Sequence, residues 1–157
     1  GSEMCIRDRS KLRLNHFGFI FQDGQLLPEL TATENVALPQ IMRGTSRKEA
    51  HEQADDMLTR LGLGNFTNRF PGQLSGGQAQ RVAIARALAG PPKVVFADEP
   101  TAALDQATGH EVMQEIVAVA QKFGVTLVLV THDPKIAAWC NRRIEIRDGL
   151  IHSEVAA

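Results

Sequence analysis

Two short apolar segments in the second half of the chain, residues 94–97 and 125–130, have the length of β-strands. Runs of this kind are typical of strands that are buried on both faces of a parallel sheet. Between them, from about residue 106 to residue 123, apolar positions recur on one helical face, and Gly124 follows as a stop. A strand, a helix and a second strand in this order indicate a βαβ unit, and hence a parallel sheet.

The first half of the chain predicts one strand followed by helices. Residues 16–21 (HFGFIF) are typical of a buried strand, and the polar residues 22–24 predict a turn after it. Capping-box spacing at residues 31–34 and 46–49 predicts two helix starts, and we expect Pro39 to kink or shorten the first helix. Since this middle stretch has no strand pattern, the sequence predicts a helical subdomain.

The two ends of the chain carry weaker patterns. Residues 1–10 show neither helical nor strand periodicity and begin like a tag remnant, so we expect a non-native or disordered junction there. A short helix at residues 134–139 and two short strands, 143–147 and 150–152, are predicted at the other end. The expected fold class is therefore α/β, with a parallel sheet flanked by helices.

Composition limits the functions that this chain can have. Its 157 residues suit one domain, and 17 basic against 18 acidic residues leave no charge excess of the kind that nucleic-acid binders show. Two cysteines without metal-ligand spacing favour a reducing compartment. No apolar run approaches the ~20 residues that cross a bilayer, and the polar N-terminus does not resemble a secretory leader. We therefore expect a soluble protein that reaches a membrane only through a partner.

The most specific motif lies at a predicted helix start. Two glycines and a serine precede the alanine-rich helical segment 79–88. Glycine lets the backbone approach a ligand closely, and free amides at the positive end of a helix suit an anion such as a phosphate. If the serine and glycines stood alone, a plain helix start after a glycine-rich turn would be the better explanation. The motif consists of Leu74, Ser75, Gly76, Gly77 and Gln78.

Two acids, Asp98 and Glu99, end the buried strand 94–97. In α/β folds the carboxyl edge of a parallel sheet is where ligands bind. Asp98 is placed to hold Mg²⁺ there, directly or through water, and Glu99 could polarise a water for attack on phosphorus. The alternative is a solvated acidic turn.

Residues 74–88 resemble the signature segment of ABC ATPases, and residues 94–101 resemble the Walker B motif of that family. The resemblance covers about residues 11–153 and implies a partial ABC ATPase domain over residues 11–157, of the P-loop NTPase type. Residues from about 24 to 90 would hold the Q-loop and the helical signature subdomain. Residues 91–157 would hold the remainder of the core.

The same resemblance implies roles for further residues and binding of ATP and Mg²⁺. Gln22 resembles the Q-loop glutamine, which reaches Mg²⁺ and the attacking water, and Asp105 resembles the D-loop aspartate, although it could simply cap a helix. His132, after the next strand, resembles the switch histidine that senses the terminal phosphate. Glu99 and His132 would be catalytic, Gln22 and Asp98 would bind the metal, and the nucleotide would also meet Asp105 and residues 74–78.

One family element does not occur in the printed sequence. No Gly-x-x-x-x-Gly-Lys-[Ser/Thr] loop is present, and the family carries that loop upstream of the Q-loop. We therefore expect this chain to be inactive by itself and to leave apolar surface of its sheet uncovered.

The family also implies partners and a location. Two such subunits pair head to tail around ATP and drive a membrane-spanning permease, from the cytoplasmic face of the membrane. Residues 26–36 look like those of the lipoprotein-release and macrolide-export group.

Two other functions stay open at this point. The first is a DNA-repair or chromosome-type ATPase. Long heptad segments are absent and the net charge is near neutral, and both observations argue against this class. We therefore expect no nucleic-acid partner. The second is a non-catalytic fragment, which an ATPase measurement on the chain alone would distinguish.

Overall fold

The computed structural model describes residues 2–90 and 92–156, with the side chains of residues 2–5 left out. Gly1, Pro91 and Ala157 lie outside the described residues. Gly1 is the first position of the predicted N-terminal junction, and Ala157 is the last position of the predicted domain. The described chain forms α1 (Ser2–His16), β1 (Phe17–Ile20), α2 (Ala32–Met42), α3 (Arg47–Arg60), α4 (Gly76–Leu88), β2 (Val94–Asp98), α5 (Gln106–Phe123), β3 (Thr126–Val130), α6 (Pro134–Ala137), β4 (Arg142–Arg147) and β5 (Leu150–Ala156).

A three-stranded parallel sheet positions the candidate site. Its order is β1-β2-β3, so the predicted βαβ unit is confirmed. Ile20 pairs with Ala97, and Asp98 pairs with Val130, which brings all three strand ends to one edge. The residues that follow the strands therefore meet there.

Helix α4 lies at the centre of the fold and contacts β1, α2, α3 and α5. Its apolar residues alternate with small alanines, so that neighbouring elements approach closely. The core is built from side chains of all these elements: Ile20, Val36, Leu58, Leu63, Val82, Ile84, Val95, Val112, Met113 and Ile116 are at most 1% exposed.

Both predicted helix starts in the middle of the chain are confirmed. Thr31 caps α2 in a reciprocal capping box with Glu34, and the Ser46 hydroxyl accepts from the Glu49 amide at the start of α3. Of the two effects expected of Pro39, the kink stays a prediction and the shortening of α2 is wrong, because the helix continues to Met42. Tertiary anchoring explains this: buried Gln40 donates its side-chain amide to the Ala89 carbonyl at 2.8 Å.

The N-terminal segment differs from its sequence pattern. Residues 2–16 are helical, so the expectation of no regular structure is wrong for the described part of residues 1–10. Periodicity could not reveal α1, because Ile6 and Leu12 are about half exposed and the helix has no apolar stripe. The helix is fixed near its end, where Arg43 Nε donates to the Leu14 carbonyl at 2.6 Å. That the segment is a non-native junction stays a prediction.

The C-terminal strands form an antiparallel hairpin that is separate from the main sheet. β5 runs to Ala156, four residues beyond the predicted end, because it pairs with the whole of β4. Within the described residues β3 has β2 as its sheet neighbour, and Val128 and Val130 are 40% and 58% exposed. The predicted uncovered apolar surface is thus present on β3. Among the described helices, none combines the length and apolarity needed to cross a bilayer.

Candidate functional site

Glu99 is held between two strands at the carboxyl edge of the sheet. It follows β2, and its amide donates to the Val130 carbonyl at the end of β3 at 2.9 Å. Its backbone has φ of +45°, which is uncommon for a residue other than glycine. This turn directs the carboxylate across to the residues that follow β3.

Thr131 and His132 hold both carboxylate oxygens of Glu99. Oε1 accepts from the His132 backbone amide at 2.8 Å and lies 2.5 Å from His132 Nδ1, while Oε2 accepts from the Thr131 hydroxyl at 3.1 Å. The Glu99 side chain is 22% exposed and that of His132 is 85% exposed. The sequence prediction that these two residues meet at one edge is therefore correct in geometry.

Burial and hydrogen bonding act on the pKa of Glu99 in opposite directions. Burial raises this pKa, but hydrogen bonds from the His132 side chain, the His132 amide and the Thr131 hydroxyl together outweigh it, so the net pKa lies below its usual 4.5. The carboxylate is therefore ionised at neutral pH and can accept a proton from a water that enters beside it.

The lowered pKa of Glu99 gives a testable acid dependence. A group whose folded pKa is depressed stabilises the fold above its unfolded pKa, and this contribution is lost as the pH falls through the folded value. We expect Glu99→Gln to lose less thermal stability than the wild type between about pH 6 and about pH 3.5. Melting temperatures measured at both pH values provide the check, and equal losses in the two proteins would contradict the hydrogen-bonded geometry.

Asp98 and Gln22 lie at the ends of neighbouring strands. Asp98 is the last residue of β2 and is exposed, and Gln22 stands in the exposed turn after β1. Among the described residues there is no cluster of three or more acidic, histidine or cysteine side chains that could hold a metal. One carboxylate and one amide oxygen do match Mg²⁺, which is commonly bound by one or two protein oxygens together with waters and substrate phosphates.

A capping box organises the signature residues at the start of α4. Ser75 Oγ accepts from the Gln78 amide at 3.3 Å, and Gln78 Oε1 accepts from the Ser75 amide at 2.9 Å. The helix geometry leaves the amides of Gly76 and Gly77 without an intrahelical acceptor. These amides and the helix dipole suit an anion, as the sequence predicts.

The two glycines also have a packing role. A Cβ at Gly77 would lie 2.8 Å from Thr108 Cγ2, which real contacts avoid, and one at Gly76 would lie 3.7 Å from a methyl of Leu104. A side chain at position 77 would therefore force Thr108 of α5 to shift, with or without a ligand. Leu74 is half-buried against the core.

Asp105 is the N-cap of α5. It accepts from the amides of Ala107 and Thr108 at 3.1 Å and from the Thr108 hydroxyl at 2.6 Å. These bonds, led by that of the Thr108 hydroxyl, lower the pKa of Asp105. Asp105 therefore caps α5, as the alternative interpretation of this residue predicts. Its carboxylate stays exposed to solvent and can have a further role.

A cleft of about 1070 Å³ brings part of the predicted site together. Glu99, Asp105 and His132 contribute to its lining, which also includes Ile136 and Trp139. Gln22, Asp98 and residues 74–78 are not in its described lining. Asp98 nonetheless directly precedes Glu99, and the start of α4 packs against Leu104 and Thr108 beside Asp105, so the cleft marks only part of the predicted site.

A sequence model of a known family decides the classification. The model described as ABC transporter matches residues 2–102. The chain belongs to the ABC transporter family. The matched range contains Gln22, residues 74–78, Asp98 and Glu99, whereas Asp105 and His132 follow it.

Relatives within the family are similar over nearly the whole chain. The macrolide export ATP-binding/permease protein of Neisseria meningitidis is 53% identical over 99% of this chain and 24% of its own length. The probable syringafactin export ATP-binding/permease protein of Pseudomonas syringae pv. tomato is 53% identical over 91% of this chain. An ABC transporter ATP-binding protein of Escherichia coli is 46% identical over 93% of this chain and 64% of its own length. The chain thus spans less than a quarter of the two export proteins.

A solved ABC cassette has the same fold. It is a dimer in a post-hydrolysis state with ADP and Pi, is 43% identical, and superposes with a TM-score of 0.84 over 96% of this chain and 66% of its own. The expected α/β fold class and the resemblance to ABC ATPases are therefore confirmed.

Three residues of the site region were not singled out from the sequence. Thr131 could have been found, because it immediately precedes His132 at a strand end. Gln80 and Arg86 could not have been found from the sequence. Helix α4 has polar residues at several positions, and only the fold shows which of these side chains face inwards. Gln80 is 3% exposed, and Arg86 donates to the carbonyls of Gly24 and Gln25 at 2.7 Å.

Proposed function

We propose that this chain is part of the ATP-hydrolysing subunit of an ABC exporter, of the macrolide-export or lipoprotein-release type. The observation that carries the proposal is the Glu99 carboxylate, ionised and held by Thr131 and His132 at the carboxyl edge of a parallel sheet. A fixed carboxylate at this edge can activate a water toward a phosphate bound beside it. The export relatives support the choice of transport class.

Each residue group then has a distinct part in hydrolysis. Glu99 accepts the proton of the attacking water, and His132, whose exposed ring contacts Glu99, hydrogen-bonds to the terminal phosphate of the substrate ATP. Asp98 and Gln22 would hold Mg²⁺, which neutralises charge on the phosphate oxygens when it is bound. Ser75 and the amides of Gly76 and Gly77 would bind phosphate oxygens at the other side of the nucleotide.

The proposed transporter contains two copies of the ATP-hydrolysing subunit and a membrane protein. In a head-to-tail homodimer of the kind that the family resemblance implies, the α4 start of one copy would complete the site of a second. The dimeric state of the solved cassette supports this arrangement. The names of the two export relatives join ATP-binding and permease parts, which supports a membrane-spanning permease as partner and a location at the cytoplasmic face.

The test uses the intact protein in membranes together with its permease. We expect it to hydrolyse ATP in the presence of Mg²⁺ and to bind duplex DNA no better than a neutral control protein. DNA binding that weakens steeply with salt, together with ATP hydrolysis stimulated by DNA, would instead favour the DNA-repair class. A lack of ATP hydrolysis in the intact, folded protein would contradict the proposal.

Substitutions at Ser75 separate its capping role from its phosphate role. Ser75→Ala should lower stability by about 1 kcal/mol and lower ATP turnover, because it removes both the cap and the hydroxyl. Ser75→Asp should restore the stability, since Asp is an equally good N-cap, but not the turnover, because its charge repels phosphate.

Melting temperature and ATP turnover of the intact protein give the two readouts. Ser46→Ala is the matched control, because Ser46 makes the same bond to Glu49 at the start of α3. It should lose stability and keep its turnover. Full turnover in Ser75→Asp would show that Ser75 acts only as a cap.

A further inference from the structure

Gln80 is a buried polar residue that the proposed chemistry does not use. It lies on the second turn of α4 and is 3% exposed. Its side-chain Nε2 donates to the Phe21 carbonyl at 3.1 Å and to the Pro100 carbonyl at 2.7 Å. Both hydrogens of the amide are therefore used, in a place with almost no access for water.

The two carbonyls belong to the residues that flank the candidate site. Phe21 immediately precedes Gln22, and Pro100 immediately follows Glu99. One amide thus joins the turn of the proposed metal ligand to the turn of the proposed base. The helix that carries this amide is capped by Ser75, so the start of α4 is connected to both turns.

Arg86, six residues further along α4, holds the other end of the Gln22 turn. Its guanidinium donates to the carbonyls of Gly24 and Gln25, each at 2.7 Å. Gly24 adopts φ of +69° and approaches α4 so closely that a Cβ there would lie 3.4 Å from Gln80 Oε1. The turn is therefore bonded to α4 before and after Gln22.

We propose that Gln80 is a positioning residue that sets the place of Gln22 relative to Glu99. Without its two hydrogen bonds, the turns after β1 and β2 lose their common support and can move independently. The nucleotide would still bind, but the metal ligand and the base would be misaligned at the reacting phosphate. The inference rests on the proposed ATP hydrolysis and adds a residue to it.

The test compares Gln80→Met with the wild type in the intact protein. Methionine matches glutamine in length and has no N–H donor. Because misplacement of reacting groups by about 1 Å can cost about 10²-fold, we expect kcat to fall about 10–100-fold while KM for ATP changes less than about threefold. Gln53→Met is the control, because Gln53 is exposed on α3 and donates to Glu49 at 3.2 Å.

A second measurement needs neither nucleotide nor activity. Amide hydrogen exchange of the nucleotide-free protein should be faster in Gln80→Met at Gly24 and at Glu99, whose amides are bonded to Phe21 and Val130. In the wild type, low concentrations of denaturant should speed exchange at these two amides with the same dependence, because one side chain supports both turns and they would open together. This comparison stands even if Gln80→Met fails to fold.

The possible outcomes separate the two proposals. If the wild type hydrolyses ATP in a Glu99-dependent way while Gln80→Met keeps its kcat and its exchange rates, the positioning role is wrong and the proposed function stands. A different denaturant dependence of exchange at the two wild-type amides, or a rise in KM alone, would also overturn it. If the wild type does not hydrolyse ATP, the proposed function fails irrespective of Gln80.

Discussion

Glu99→Gln in the intact protein should lower kcat for ATP hydrolysis by about 10²–10⁴-fold, the usual contribution of a general base. The change replaces an ionised carboxylate by a neutral amide of the same size: its oxygen can still accept from the His132 amide, and its NH2 group can donate to the Thr131 hydroxyl in place of the bond that this hydroxyl donates now. The base is lost while the shape of the turn is preserved. ATP binding should therefore remain within a few-fold of the wild type.

Single-turnover kinetics with labelled ATP and a separate binding titration distinguish the two effects. Glu52→Gln is the matched control, since Glu52 is exposed on α3 and pairs weakly with Lys48 at 4.0 Å. The control should hydrolyse ATP like the wild type. Normal single-turnover hydrolysis by Glu99→Gln would remove Glu99 from the role of base.

The parts of the fold with strong local signals could be predicted from the sequence. The α5 bounds agree at both ends, because Asp105 caps the helix and Gly124 ends it with φ of +64°. The parallel strands were recognisable because β2 and its neighbours are short apolar runs. In each case the residues that define the element lie within or next to it.

The parts that depend on distant contacts could not be predicted. The length of β5 is set by its pairing with β4, and α2 passes Pro39 because Gln40 is anchored on Ala89. Neither contact leaves a trace in the local pattern. For α1 the composition lacks an apolar face, so no periodic signal was available.

The candidate site shows the same division. The order of motifs placed Glu99 and His132 at one sheet edge, but the left-handed turn at Glu99 that joins them is set by the bond to Val130. Similarly, glycine at position 77 suggested a ligand, whereas the structure shows a side chain of α5 in the way of any Cβ. A residue of a sequence motif, such as Gly77, can thus be needed both for packing and for ligand binding.

Gly18→Ala should strongly destabilise the intact protein, because β1 and α4 touch through their backbones. A Cβ at Gly18 would lie 2.3 Å from the Ala87 carbonyl oxygen and 3.0 Å from Val95 Cγ2. Overpacking costs about 1–3 kcal/mol and occasionally more, and we expect the upper end because a helix backbone cannot rotate away like a side chain.

Thermal unfolding of the intact protein measures this cost. A loss of about 3 kcal/mol corresponds to a melting temperature lower by about 6–12 °C in a domain of 150–250 residues. Gly72→Ala is the control, since a Cβ at that exposed glycine meets nothing within 4 Å and should shift the melting temperature little. Equal melting temperatures in the two variants would show that β1 and α4 can separate without cost.

The same substitution should also lower kcat in the fraction that remains folded. Gly18 sets the distance between β1 and α4, and the bond from Gln80 to the Phe21 carbonyl spans that gap. If a methyl group pushes the strand from the helix, this bond lengthens and the Gln22 turn loses its support. A destabilised Gly18→Ala protein with wild-type kcat below its melting temperature would show that the strand can shift without moving Gln22.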